Sequence, residues 1–75
     1  MPKKYYRIIS REDAVRRARI FAGWTSEELA TQIGLSRPML SSIENGAGTT
    51  VKTAKKIASC LSKTLEELFE VVDTR

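Results

Sequence analysis

The chain has 75 residues, a net charge of +4, 41% apolar residues, one cysteine and no histidine. That length supports one domain near the lower limit for folding without staples, and that apolar content argues against wholesale disorder. Lone Cys60 excludes an intrachain disulfide and a Cys-rich zinc site, and the lack of histidine removes the usual general base, metal ligand and triad partner.

Residues 3–9 and 70–72 are rich in β-branched and aromatic side chains, so each end reads either as a short strand or as a frayed tail. Ser10, with Asp13 three residues on, has the form of a capping box that opens a first helix through Ala22, with Gly23 as its stop. Val15, Ala18 and Ala22 share the inner face of that helix with Phe21 beside them, while Arg16 and Arg17 point away. Trp24 packs behind the turn. Thr25 caps a second helix that carries Glu27 and Glu28 in its first turn, where the dipole favours acids. This helix runs to about Ile33 and buries Leu29, Ala30 and Ile33.

Gly34 breaks the second helix, Leu35 is an apolar hinge, and Ser36 caps a third helix whose first turn tolerates Pro38. Leu40 and Ile43 face the core, and Asn45-Gly46 ends the helix. A small-residue loop, Ala47-Gly48-Thr49, leads to Thr50 as the next cap. Val51, Ala54, Ile57, Ala58 and Leu61 form the inner stripe of a fourth helix, with Lys52, Lys55 and Lys56 outside. Thr64 with Glu67 is a second capping box, opening a short fifth helix that buries Leu65, Leu68 and Phe69. The fold class is all-α: a five-helix bundle, with short terminal strands as one reading of its ends.

Charge is unevenly spread. Lys3, Lys4, Arg7, Arg11, Arg16, Arg17 and Arg19 against Glu12 and Asp13 give the first 25 residues +5; the middle third carries −2 and the last third +1. A basic end on a small domain suggests a polyanion partner, although an excess of this size also suits a merely solvated surface. No apolar run approaches the roughly 20 residues that span a bilayer, and no apolar core of a secretory signal follows Lys3 and Lys4. The expectation is a cytoplasmic protein with no membrane association. No nucleophile stands with a base, no ligand cluster suggests a metal, and the glycines form no phosphate-cradling loop, so neither an enzyme nor a cofactor is expected. Cys60, beside Leu61, reads as a partly buried structural thiol.

The spacing from Ser26 to Gly46 carries the functional signal. Counting Ser26 as the first position, apolar residues fall at the fourth (Leu29), eighth (Ile33), tenth (Leu35), fifteenth (Leu40) and eighteenth (Ile43). The fifth is Ala30, where a small side chain lets two helices cross closely, and the ninth is Gly34, where a tight turn needs positive φ. A plain helical hairpin satisfies the apolar pattern but does not demand alanine and glycine at those places. The helix-turn-helix used on DNA does.

Leu29-Ala30, Ile33-Gly34-Leu35-Ser36, Leu40, and Ile43-Glu44-Asn45-Gly46, followed by Ile57-Ala58, Leu61 and Leu65-Glu66-Glu67-Leu68-Phe69, resemble the phage repressor and Cro family of Xre-type regulators. The resemblance covers about residues 14–69. It implies a five-helix DNA-binding domain over residues 10–70, between a basic arm or short strand at 1–9 and a tail at 71–75. It also implies that the third helix enters the major groove, with Arg37, Pro38 and Ser42 reaching base edges and Ser41 nearby. Arg37 is the strongest candidate, since guanidinium pairs in bidentate fashion with guanine.

By the same resemblance Ser36, Asn45, Thr25 and Ser26 meet phosphates, and Arg19 with Glu44 forms a buried salt bridge between the first and third helices. Two departures stand out. Ser26 occupies a position where the family usually has glutamine, and the loop after the third helix is uncharged where the family's is often basic. Lys52, together with the basic arm of Lys3, Lys4 and Arg7, is the candidate source of the missing phosphate contacts; the arm reads equally as a solvated tail.

The implied function is sequence-specific binding of double-stranded DNA by a transcriptional regulator, most simply a repressor, acting as a homodimer on a palindromic operator. Val71 and Val72 are the first candidates for the dimer surface and Tyr5, Tyr6, Ile8 and Ile9 the second, as a strand from each end can pair within or between subunits. The rival reading is an antitoxin-type protein that binds its own operator and a protein partner, a toxin or an antirepressor.

Overall fold

A computed structural model describes residues 6–73. Its elements run β1 (Tyr6–Ser10), α1 (Ala14–Phe21), α2 (Ser26–Ile33), α3 (Arg37–Glu44), α4 (Val51–Cys60), α5 (Leu65–Leu68) and β2 (Phe69–Asp73). Five short helices therefore stand with a two-stranded antiparallel sheet made by the two ends. No helix among the described residues is long and apolar enough to cross a membrane.

Local chemistry starts four of the helices. Thr25 Oγ1 accepts from the Glu28 amide at 3.0 Å while Glu28 Oε1 accepts from the Thr25 amide at 2.9 Å, a reciprocal pair that satisfies two orphan donors. Thr64 and Glu67 repeat it at α5, and Ser36 and Thr50 cap α3 and α4 singly. The ends are equally regular. At α2 the Gly34 amide donates to the Thr31 carbonyl and the Leu35 amide to that of Ala30, a paired closure that needs one left-handed residue. Gly34 supplies it at φ +76°; a Cβ there would meet no atom within 4 Å, so the demand is conformational and not steric. Ser62 occupies the corresponding place after α4 at φ +55°.

Val15, Leu29, Leu40, Ile57 and Leu68, one from each helix, are fully buried and form the centre of the core. Ala30, Ala54 and Ala58 are buried between them. They let α2 approach α3 and α4, its main packing partners. Ile8 and Phe69 extend the core into the sheet.

The ends settle as strands, in the register Tyr6↔Asp73, Ile8↔Val71 and Ser10↔Phe69. Pairing with Phe69 keeps Ser10 extended, so the expected capping box at the first helix does not form. α1 instead starts at Ala14 after a left-handed Asp13, whose carboxylate is taken by Arg16. Ser10 Oγ donates to the Arg11 carbonyl at 2.8 Å and accepts from the Val15 amide at 3.5 Å, so it still serves one donor of the first turn of α1. Phe21, expected beside the inner face, is 89% exposed. At 100° per residue it lies about 120° round the helix from Val15, off the inner face. Ala22, expected on the inner face, is an exposed cap, because α1 closes at Phe21.

Two measurements test these local devices. The hydrogen bonds from Thr25 and Thr64, backbone amide first and hydroxyl second, hold the Glu28 and Glu67 carboxyls below the ordinary glutamate value of 4.5. A depressed folded value stabilises above the unfolded one and is lost as pH falls through it. Melting curves should therefore show Tm falling more steeply below pH 4.5 for the native chain than for the Glu28→Gln, Glu67→Gln double variant. Ser62→Gly should gain about 0.5–1 kcal/mol in urea denaturation, since a side chain at this φ costs about 1–2 kcal/mol and glycine's greater unfolded freedom offsets part of it.

Candidate nucleic-acid interface

The eight residues of α3 divide cleanly. Leu40, Ile43 and Glu44 are buried, whereas Arg37, Pro38, Met39, Ser41 and Ser42 are exposed. Arg37, Pro38 and Ser41 line one shallow depression, and Ser26, at the start of α2, closes its side. The turn at Gly34 thus brings the first turn of α2 against the first turn of α3. Ser42 lies one turn after Pro38 on the exposed side of the same helix, and Asn45 follows as its C-cap. Arg37 has no ion-pair or hydrogen-bond partner among the described residues.

Ser36 and Thr25 are both spent in part as caps. The Ser36 hydroxyl accepts from the Met39 amide at 3.3 Å, and the Thr25 amide and hydroxyl both engage Glu28. The unsatisfied donors at the start of α2 are therefore the Ser26 and Glu27 amides in its first turn. Glu27 and Glu28 bring two carboxylates to the same end. They complement the helix dipole and oppose a close phosphate on their own side, so the approach to this end is from the α3 side, where Ser26 stands.

A charge cluster holds the other end of α3. Glu44, with a side chain only 4% exposed, receives Arg19 Nε at 2.8 Å and Arg16 Nε at 3.5 Å on opposite oxygens. Arg19 Nη1 also donates to the Trp24 carbonyl at 3.0 Å, fastening the turn after α1. Arg16 reaches Asp13 with Nη1 and donates from Nη2 to Asn45 Oδ1 at 2.6 Å. Because a guanidinium only donates, this contact turns the Asn45 carbonyl inward and leaves its NH2 as the outward group, the polarity a phosphate requires. Arg16 was read from the sequence as pointing away. Its spacing of one helical turn from Arg19 was the available sign that both face one carboxylate.

Lys52 is exposed in the first turn of α4, just beyond the loop that follows α3. Tyr6, Val71 and Val72 lie in the sheet, 43%, 68% and 38% exposed. Lys3, Lys4 and Tyr5 lie outside the described residues. No group of metal-ligating side chains is found among the described residues.

The turn at Gly34, the crossing at Ala30 and the exposed third helix are the geometry of one structural family, and its sequence profile, described as helix-turn-helix, matches residues 15–68. The chain belongs to the helix-turn-helix family. Among solved structures, it is similar to the crystal structure of transcriptional regulator VanUg, Form II, with 12% identity, a TM-score of 0.67, and coverage of 97% of this chain and 95% of that one. At that identity the likeness concerns the fold. It spans the terminal sheet as well as the helices. No curated protein matches the sequence.

The helix-turn-helix unit depends on Glu44 being paired. Glu44→Leu should cost roughly 3–5 kcal/mol, because it strands Arg19 and Arg16, and Arg19→Met should cost less, because Arg16 still meets the carboxylate. The double variant should lose much less than the two costs summed, as read from urea denaturation in a double-mutant cycle.

Proposed function

We propose that this helix-turn-helix protein is a transcriptional regulator that binds double-stranded DNA sequence-specifically as a homodimer. The observation that carries the reading is the solvent-facing stripe of α3. Arg37, Pro38, Ser41 and Ser42 project from a helix anchored by Leu40 and Ile43 in the core and by Glu44 at its end. A helix of this kind presents its first turn to base edges while flanking groups take phosphates. In this reading Arg37 pairs with guanine O6 and N7, and Ser41, Ser42 and Pro38 shape the neighbouring contacts. Ser26, Thr25, Ser36, Asn45 and Lys52 meet the backbone, and Lys3 and Lys4 add to the same electrostatic attraction.

One short helix reads only a few base pairs, so selection of a genomic site calls for two. The sheet supports a way to build the dimer. β1 has Thr49 bridged to its outer edge at Ile8, whereas no described residue pairs with the outer edge of β2. Val71 and Val72 are exposed on that strand, and such an edge is a ready template for a second copy. In this reading two β2 strands pair about a two-fold axis and the two recognition helices enter successive major grooves. The half-sites then lie about 34–36 Å apart, near one turn of DNA. A dimer that covers a palindromic operator represses by occlusion.

Selection of bound sites from random DNA, followed by footprinting, tests this. The expected footprint is palindromic. Arg37→Ala should lose about 1–3 kcal/mol per half-site and relax the preference for guanine at one position, whereas Lys52→Ala should weaken all sequences alike. A monomer on a non-palindromic site, or an Arg37→Ala variant with full selectivity, would overturn the reading.

A further inference from the structure

The loop from Ala47 to Thr50 contains no charged residue, yet the fold brings one to it. The Thr49 amide donates to the Ile8 carbonyl at 2.9 Å and the two residues form an antiparallel bridge, which lays β1 along the loop. Arg7 then passes over Gly48. A Cβ built on Gly48 would stand 3.0 Å from Arg7 Nε, 3.4 Å from Nη2 and 3.7 Å from Cζ. Gly23, Gly34 and Gly46 take positive φ in open space; Gly48 does not, and is instead crowded by a guanidinium. Its missing side chain is needed for close approach.

Arg7 is exposed and has no ion-pair or hydrogen-bond partner among the described residues. Its position relative to α3 gives it a use. At 1.5 Å per residue α3 is about 12 Å long, close to the width of the major groove, about 12 Å. When the first turn of α3 is at the bases, the chain just past its C-cap reaches the phosphate wall of the groove. Gly48 is three residues past Asn45.

We propose that Arg7, seated over Gly48, is a DNA-backbone ligand that binds the phosphate flanking the C-terminal end of α3. This inference rests on the DNA-binding reading above. It assigns to a strand residue from the far end of the chain the cation that the loop itself lacks. The Nε–Nη2 edge of the guanidinium faces Gly48, which leaves Nη1 on the outer side as a donor for a phosphate oxygen. The contact is blind to sequence.

The experiment measures affinity against salt concentration for the full chain on the selected site and on a random duplex, with circular dichroism to confirm folding. Arg7→Gln should reduce the slope of log affinity against log salt by about 0.9, making binding about eight-fold weaker at 0.1 M salt than at parity near 1 M. The loss should be equal on both duplexes. Gly48→Ala, which shifts the guanidinium by a few tenths of an ångström and keeps its charge, should give a smaller loss of the same sign and add nothing in the Arg7→Gln background. An unchanged slope for Arg7→Gln, while Arg37→Ala still loses selectivity, overturns the Arg7 assignment and leaves the DNA reading standing. A native chain that binds neither duplex overturns both.

Discussion

Glu44 is an acid in the last turn of α3 with almost no exposure, and a carboxylate in that position must be met by cations and donors. Arg19 and Arg16 meet it, each from α1, one on each oxygen. Burying the acid therefore fixes both the distance and the rotation of α1 relative to α3. Arg19 carries the constraint on to Trp24, and so to the start of α2, while Arg16 carries it to the Asn45 cap. An apolar pair of equal volume would hold the helices together as well, since buried ion pairs seldom add net stability. What the charge cluster adds is direction: it sets how the exposed face of α3 is aimed.

That aim is shared with the turn at Gly34. Helices of eight residues are too short to hold their own geometry in water, so their relative positions come from closures and packing. The Gly34 closure sets the angle at which α2 delivers α3, and Ala30 lets the pair cross closely. With one end of α3 fixed by this turn and the other by Glu44, Arg37, Pro38, Ser41 and Ser26 come together on one surface.

The terminal sheet joins the two ends of the chain and reaches the same site from behind. β1 touches the loop after α3 through Ile8 and Thr49, and β2 follows directly from α5. The strand proposed to pair between subunits is thus one hydrogen-bonded step from the strand that carries Arg7. In the two proposals, assembly and backbone contact share this one small element.

Much of this was legible in the residues alone. Thr25, Ser36, Thr50 and Thr64 cap their helices through bonds that span three residues, and Gly34 acts through its own φ, so neither needs the rest of the chain to be known. The inner stripes of α2 to α4 follow from 3.6-residue periodicity in the same local way, except that Val51, expected on the inner stripe of α4, is exposed at the first position of that helix. The ends did not yield to such reading. Strand pairing of Ser10 with Phe69 joins residues far apart in sequence, and it overrode the local capping signal at Ser10 and Asp13. The partners of Arg16 and the seat of Arg7 over Gly48 were hidden for the same reason, although the basic arm that includes Arg7 was already a candidate for phosphate contact. An arginine's charge is written in the sequence, but its partner is decided by which surfaces meet. Short-range hydrogen bonds and periodicity determined the helices; only the packing of α1 on α3 and of β1 on the Gly48 loop decided where the cations stand.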